Sequence, residues 1–174
     1  MKGMSSFKTL AALVFLSHFL FIETDGQVVI NEINYHSADS TDSKDWLELH
    51  NSSVLPLNLN GWYISDSNED NQYHLGALDL DSNAYIVICA DTLAFRQVYG
   101  SAPRIVGDID FNFSNGGEHL SLYDPLGNLV DSLTYDDSAP WPTQADGEGA
   151  TLELIHPSLD NALSESWAAS EGLG

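Results

Sequence analysis

Cationic side chains are scarce in this chain: Lys and Arg together number 5 against 26 Asp and Glu, a formal net charge of -21. Phosphate binding needs a basic stripe that releases counterions, so a nucleic-acid partner is disfavoured. Anionic membrane surfaces are disfavoured by the same repulsion. Divalent cations, basic proteins and neutral glycans stay open as partners. A solvated, self-repelling surface that keeps the chain monomeric and soluble explains the acidity without any specific role. Cysteine is scarcer still. Cys89 is the only one, so no intramolecular disulfide forms, and its place in the apolar run 84–90 suits a small buried hydrophobe better than a nucleophile. No stretch is long enough for a membrane span: the apolar run 10–16, which resumes at 19–22 after Ser17 and His18, falls short of the roughly 20 residues a bilayer needs.

That run follows Lys2 and Lys8 and ends in Glu23, Thr24 and Gly26, the pattern of a secretory signal peptide cut after Gly26. Residues 1–26 are therefore expected to be a signal peptide. Residues 27–174 are expected to form one soluble domain, secreted or held in the cell envelope, with no membrane span after cleavage. Cleavage removes two bases and two acids, leaving Lys44, Arg96 and Arg104 as the fixed cations.

Beyond the leader, short apolar runs alternate with turn clusters at the spacing of a sandwich or barrel. Strands are expected at 27–34, 45–50, 57–65, 72–75, 84–90, 108–113, 118–123, 128–135 and 150–155. Alternation is clearest at Leu120/Leu122 and Leu152/Leu154. Asp124-Pro125-Leu126-Gly127-Asn128 predicts a hairpin, since Pro presets φ and Gly127 accepts the left-handed conformation. The one helix expected covers 91–100, capped by Asp91, ended by Gly100, with Leu93, Phe95 and Val98 as apolar contacts. The segment 37–44 has no large apolar residue and is expected to be a mobile loop. The fold class is all-β with one short crossover helix.

Val29-Ile30-Asn31-Glu32-Ile33, Asp45-Trp46-Leu47-Glu48-Leu49-His50-Asn51, Leu57-Asn58-Leu59-Asn60-Gly61-Trp62-Tyr63-Ile64-Ser65-Asp66, Phe113-Ser114-Asn115-Gly116-Gly117-Glu118, Leu122-Tyr123-Asp124-Pro125-Leu126-Gly127, Val130-Asp131-Ser132-Leu133-Thr134-Tyr135 and Trp167-Ala168-Ala169-Ser170, in this order, resemble the lamin tail domain in its exported bacterial type. The resemblance implies an immunoglobulin-like β-sandwich over most of residues 27–174. It departs from nuclear lamins, because no heptad rod and no basic import segment accompany it. In exported relatives the domain accompanies hydrolases, nucleases or kinase-like domains and is thought to bind or position them. The end at Gly174 is expected to mark a truncated reading frame, since the family pattern usually continues further.

Physical chemistry gives several of these residues structural parts. Gly61 lets the chain turn so that Trp62 packs inward, and Gly116-Gly117 offers positive-φ turn residues. Trp46, Trp62, Trp141 and Trp167 are expected to anchor a core that has no disulfide.

Chemical motifs are sparse. Asp66, Asn68 and Asp70 have the D-x-N-x-D spacing of a calcium loop, but Asn71 and Ala77 stand where a turn Gly and a bidentate Glu belong, so at most a weak calcium site is expected. Asp39, Asp42 and Asp45 carry a weaker hint of the same kind. The histidines are scattered singly, without a paired zinc motif. Glu32 and Glu48 suggest an acid/base pair only in a rival reading, that of a small carboxylate-based or calcium-dependent hydrolase; hydrogen bonds to loop backbone are the ordinary role. Asn51-Ser52-Ser53 and Asn112-Phe113-Ser114 match the N-glycosylation triplet. The leading expectation is a monomeric, non-catalytic binding, adhesion or targeting module, not an enzyme, with no firm cofactor. Its loops 36–44, 66–71 and 136–149 would contact an extracellular or envelope protein or glycan, with Trp141 as the binding residue. The alternative for Trp141 is a plug at one end of the core. A third reading is an accessory fragment of a longer exported enzyme.

Overall fold

Alternating apolar residues build two facing layers in the computed structural model, which describes residues 28–68, 70–101 and 104–172. The signal-peptide segment 1–26 lies outside the described residues. The strands are β1 (Val28–Asn34), β2 (Trp46–Asn51), β3 (Leu57–Asn58), β4 (Tyr63–Ser65), β5 (Gln72–His74), β6 (Asp79–Leu80) and β7 (Tyr85–Cys89), then helix α1 (Thr92–Tyr99), then β8 (Ile105–Gly107), β9 (Glu118–Tyr123), β10 (Leu129–Tyr135), β11 (Leu152–Leu154) and β12 (Trp167–Ala169). One sheet runs β12-β11-β1-β2-β7-β8, a second β10-β9-β4-β5, and β3 pairs with β6. Ile33, Leu47, Leu49, Ile86 and Ile88 of the first sheet meet Ile64, Leu120, Leu122 and Leu133 of the second in a single buried cluster, the two-layer arrangement of a sandwich.

Among the described residues only β7 and β8 pair in parallel, and a parallel pair needs a crossover. Helix α1 supplies it. Asp91 accepts hydrogen bonds from the amides of Leu93 and Ala94, and Gly100 ends the helix at φ 76° by donating to the Arg96 carbonyl. The helix lies over alternate residues of β2 and β7, where Trp46, Val87, Cys89 and Phe95 form a second cluster. Leu93, expected as a contact, is 72% exposed. Phe95, expected alongside it, is the buried residue of the helix.

The hairpin forms as its residues dictate: Asp124 Oδ1 accepts the amides of Leu126 at 2.8 Å and Asn128 at 2.9 Å, with Gly127 at φ 78°. The turn glycines behave likewise. At Gly61, φ is 81°, and a Cβ at Gly117 would lie 2.7 Å from the Tyr135 carbonyl oxygen.

Four expectations change. Residues 57–65 divide into β3 and β4 at the Gly61 turn. Residues 108–113 bury Ile109, Phe111 and Phe113 but form no ladder, which runs instead through Ile105–Gly107. The segment 37–44 holds a short 3-10 turn at Asp39–Thr41. Its Ser43 is buried, with the Oγ accepting from Asn34 Nδ2 and Trp46 Nε1. Finally, β12 forms at Trp167–Ala169, where Leu154↔Trp167 and Leu152↔Ala169 pair it with β11.

Candidate functional site

At one end of the sandwich, β1 delivers Tyr35 and His36 out of the sheet beside the chain that leads into β2. His36 Nδ1 meets Asp146 Oδ1 at 2.6 Å, and the Gly147 amide donates to the His36 carbonyl at 3.1 Å. Those two contacts tie the loop 36–44 to the loop 136–149. Beside them opens a cavity of about 320 Å³ lined by Tyr35, His36, Asp39, Asp42, Asp45 and Phe113, among others.

The cavity is acidic. Burial pushes the Asp45 carboxyl up to about 6, against the opposing effect of the Phe113 amide, which donates to Asp45 Oδ2 at 2.7 Å. Lys44 sits at positive φ and bonds Asp42 through both its amide and its ammonium group; the hydrogen bond to that ammonium holds the Asp42 carboxyl below the usual range. Tyr35 is 0% exposed and stacks on Tyr135 at 4.7 Å. The Tyr135 hydroxyl donates to the Ser114 carbonyl at 2.7 Å, whereas the Tyr35 hydroxyl has no hydrogen-bond partner among the described residues. A buried hydroxyl in that state costs free energy.

A second cavity, of about 580 Å³, lies at the opposite end between β1, β10 and the segment 156–161. It includes Ser158, whose Oγ and amide both contact His156 Nδ1, at 2.8 and 3.2 Å. Two bonds to one ring nitrogen from a residue two positions away close a local turn.

The residues singled out from the sequence fall in several places. Trp141 is 8% exposed and packs against Trp167 at 6.1 Å within the main core; its burial assigns it to the plug, not to a surface contact. Asp66 is 6% exposed. Its Oδ1 accepts the Asn68 amide at 2.7 Å, its Oδ2 accepts Asn71 Nδ2 at 2.7 Å, and Asn68 Oδ1 accepts the Asp70 amide at 3.2 Å. The oxygens of Asp66 and Asn68 thus serve donors of their own loop. Among the described residues no group of three His, Cys, Asp or Glu side chains is placed to hold a metal ion.

Glu32 and Glu48 do face each other, as cross-strand partners, with Glu153 next to Glu32 on β11. Among the described residues their partners are side chains and not loop backbone: Glu32 accepts from the Thr151 hydroxyl and Glu48 from Asn31 Nδ2 at 3.0 Å. Burial pushes the Glu32 carboxyl up to about 7, and the charges of Glu48 and Glu153 add to the rise. Glu48 is raised as well, mainly by burial. Asn51 is 0% exposed, and its Nδ2 donates to the carbonyls of Leu55, Leu80 and Asp81. It is a loop clamp, closed to glycosylation in the folded chain.

Sequence reasoning missed the acidic cavity. The three-residue repeat Asp39, Asp42, Asp45 was a signal for it, but nothing local marks Asp146, Tyr35 or Phe113 as its neighbours.

Two packed, mainly antiparallel layers, with a helical crossover between neighbouring strands of the first and loops gathered at the ends, define an immunoglobulin-like β-sandwich. The family model of the Lamin Tail Domain matches residues 23–137, and the chain belongs to that family. The first sheet continues beyond the match, because β11 and β12 add to the edge of β1. A search of curated proteins finds no match. Among the described residues no helix is long and apolar enough to cross a membrane.

Proposed function

We propose that the protein is an exported, non-catalytic binding module that holds an extracellular or envelope protein or glycan at the loop end of its sandwich. The observation that carries this reading is the junction of loops 36–44 and 136–149 through His36 and Asp146, beside an open cavity. Recognition concentrates on loops that a rigid scaffold positions, and lamin tail domains are typically non-catalytic. The leader pattern in residues 1–26 supports export. Strong self-repulsion at a net charge of -21 supports a monomer.

Capture from a native envelope fraction tests the reading with two bulky surface substitutions. Asn115→Trp places an indole at the mouth of the cavity, and Ala162→Trp places one at the far end. Capture lost with Asn115→Trp and retained with Ala162→Trp, both variants melting like the parent, is the expected outcome. Equal capture by both variants and the parent would overturn the loop-end assignment.

A further inference from the structure

We propose that the outer face of the second sheet is a docking surface for a neutral polysaccharide chain. It is a different surface from the loop end, and the proposal does not rest on that reading.

The pairing register lays the face out. Ile64, Leu120, Leu122 and Leu133 point into the core, so the residues that alternate with them point outward. His74, Tyr63, Tyr123 and Leu129 are successive cross-strand partners on β5, β4, β9 and β10. Neighbouring strands lie about 4.8 Å apart, so this row spans about 14 Å. Gln72, Ser65, Ser121 and Ser132 form the next row in the same strand order, and His119 pairs with Thr134 beyond it. His74, His119, Leu129 and Thr134 are exposed, and Tyr63 and Tyr123 are half-buried.

Charge sets this face apart from the rest of the molecule. None of these side chains is Asp, Glu, Lys or Arg, in a chain that carries 26 acids and a net charge of -21. The carboxylates on the four strands or next to their ends are engaged elsewhere. Asp131 accepts the Ile30 amide, Glu118 the Ser114 amide and Asp136 the Ser138 amide. Asp66 serves Asn68 and Asn71, and Asp124 closes its own turn. The outer face of the first sheet is the opposite case, with Glu32, Glu48 and Glu153 side by side. A face without fixed charge offers an ion of either sign no Coulomb attraction, so the partner that suits it is uncharged.

Side-chain chemistry then selects a sugar. Tyr63 and Tyr123 stack at 4.8 Å and 13°, and His74 leans on Tyr63 at 4.9 Å. Rings already braced on one another lose little freedom when a ligand settles on them. Tyrosine joins an apolar body to a polar tip, which matches a pyranose unit with its C–H surfaces and hydroxyl rim. Gln72, Ser132 and Thr134 place amide and hydroxyl groups beside the aromatic row. The His119 ring is held in place there by Ser121 Oγ at 3.0 Å and Thr134 Oγ1 at 2.9 Å. A second copy of this chain fits less well. Each copy brings a charge of -21, which repels the other, and Leu129 is the one aliphatic side chain in the three rows, whereas contacts between identical subunits are the more apolar kind.

The test is native affinity electrophoresis of the purified protein through gels that contain hydroxyethyl cellulose, xyloglucan, galactomannan or dextran, with polygalacturonate as the anionic counterpart. Retardation that rises and saturates with at least one neutral polymer, and none with polygalacturonate, is expected. His74→Ala and Tyr123→Ala should each weaken that binding by about fivefold or more, while both melt cooperatively and Ala162→Trp runs like the parent. His74 is exposed on the edge strand β5, so its variant takes a ring from the face without opening the core. Retardation by none of the neutral polymers, equal retardation by polygalacturonate, or full binding in both face variants would each overturn the proposal. Binding lost in Asn115→Trp and kept in the face variants would move the sugar to the loop end. A dimer in light scattering that dissociates in Tyr123→Ala, with no retardation in any gel, would assign the face to a second copy and overturn the proposal as well.

Discussion

Asp131 on β10 accepts the amide of Ile30 on β1 at 2.7 Å, joining the two sheets where both strands carry an irregularity in register. The same oxygen accepts Asn161 Nδ2 at 2.7 Å, and the Asn161 carbonyl accepts the Trp167 indole N–H at 2.8 Å. One carboxylate thereby fastens the first sheet, the second sheet and the segment that carries β12. Asp131→Ala leaves the Ile30 amide and the Asn161 side chain without their acceptor. Stability should fall by about 2–3 kcal/mol, read as an earlier urea midpoint at unchanged slope. Asp131→Asn, which keeps one acceptor oxygen, should lose less.

Glu32, pushed up to about 7, and Asp45, pushed up to about 6, shape the pH dependence of folding. Each binds its proton more tightly folded than unfolded, so the folded state gains protons as pH falls. Their contribution is complete below the unfolded values near 4.5 and 3.8 and is lost as pH rises through about 6 to 7. Glu48 and Asp131, also raised by burial, act in the same direction. The protein should therefore melt higher at pH 5 than at pH 8. Glu32→Gln retains an acceptor for Thr151 and removes the charge beside Glu48 and Glu153. It should raise stability at pH 8 by about 1–2 kcal/mol and flatten the slope between the two pH values; a parallel slope in thermal melts would contradict this.

What was legible in the sequence is what neighbouring residues decide. The Asp124–Asn128 turn and the Asp91 and Gly100 caps each act within a few positions, and each formed as the residues dictate. The strand expected at 108–113 misled because Ile109, Phe111 and Phe113 alternate as a strand would. In the fold they bury themselves from an irregular segment whose backbone bonds to Asp45 and Cys89. The cavity escaped notice for a different reason. Its latch joins His36 to Asp146 across 110 positions, and the position of Tyr35 beside it follows from packing on Tyr135. Neither contact leaves a local pattern.

Cys89 should behave as a core residue. It is fully buried beside Trp46 and Phe95, its thiol is pushed up to about 11 by burial, and its Sγ lies 3.4 Å from the Val106 carbonyl. Thiolate is the reactive form, so alkylation by iodoacetamide at neutral pH should be negligible in the native protein and rapid in denaturant. Trp46 sets the helix over this thiol through edge-on contacts with Phe95 and Tyr99, both at 5.6 Å. Trp46→Ala should cost about 3–5 kcal/mol and expose Cys89 to the reagent without denaturant.

Trp141 separates anchoring from recognition most directly. Its ring lies 6.1 Å from that of Trp167, and Trp167 in turn extends the first sheet through its pairing with Leu154. Removing the indole opens a large void between the loop 136–149 and β12, and core Trp to Ala changes cost about 3–5 kcal/mol. Trp141→Ala should therefore lower the melting temperature sharply and alter the fluorescence of the remaining tryptophans. Trp141→Phe should recover much of the loss by refilling the space. If Trp141→Ala melted like the parent and only weakened capture of a partner, the residue would be a contact, and its burial against Trp167 would contribute little to the fold.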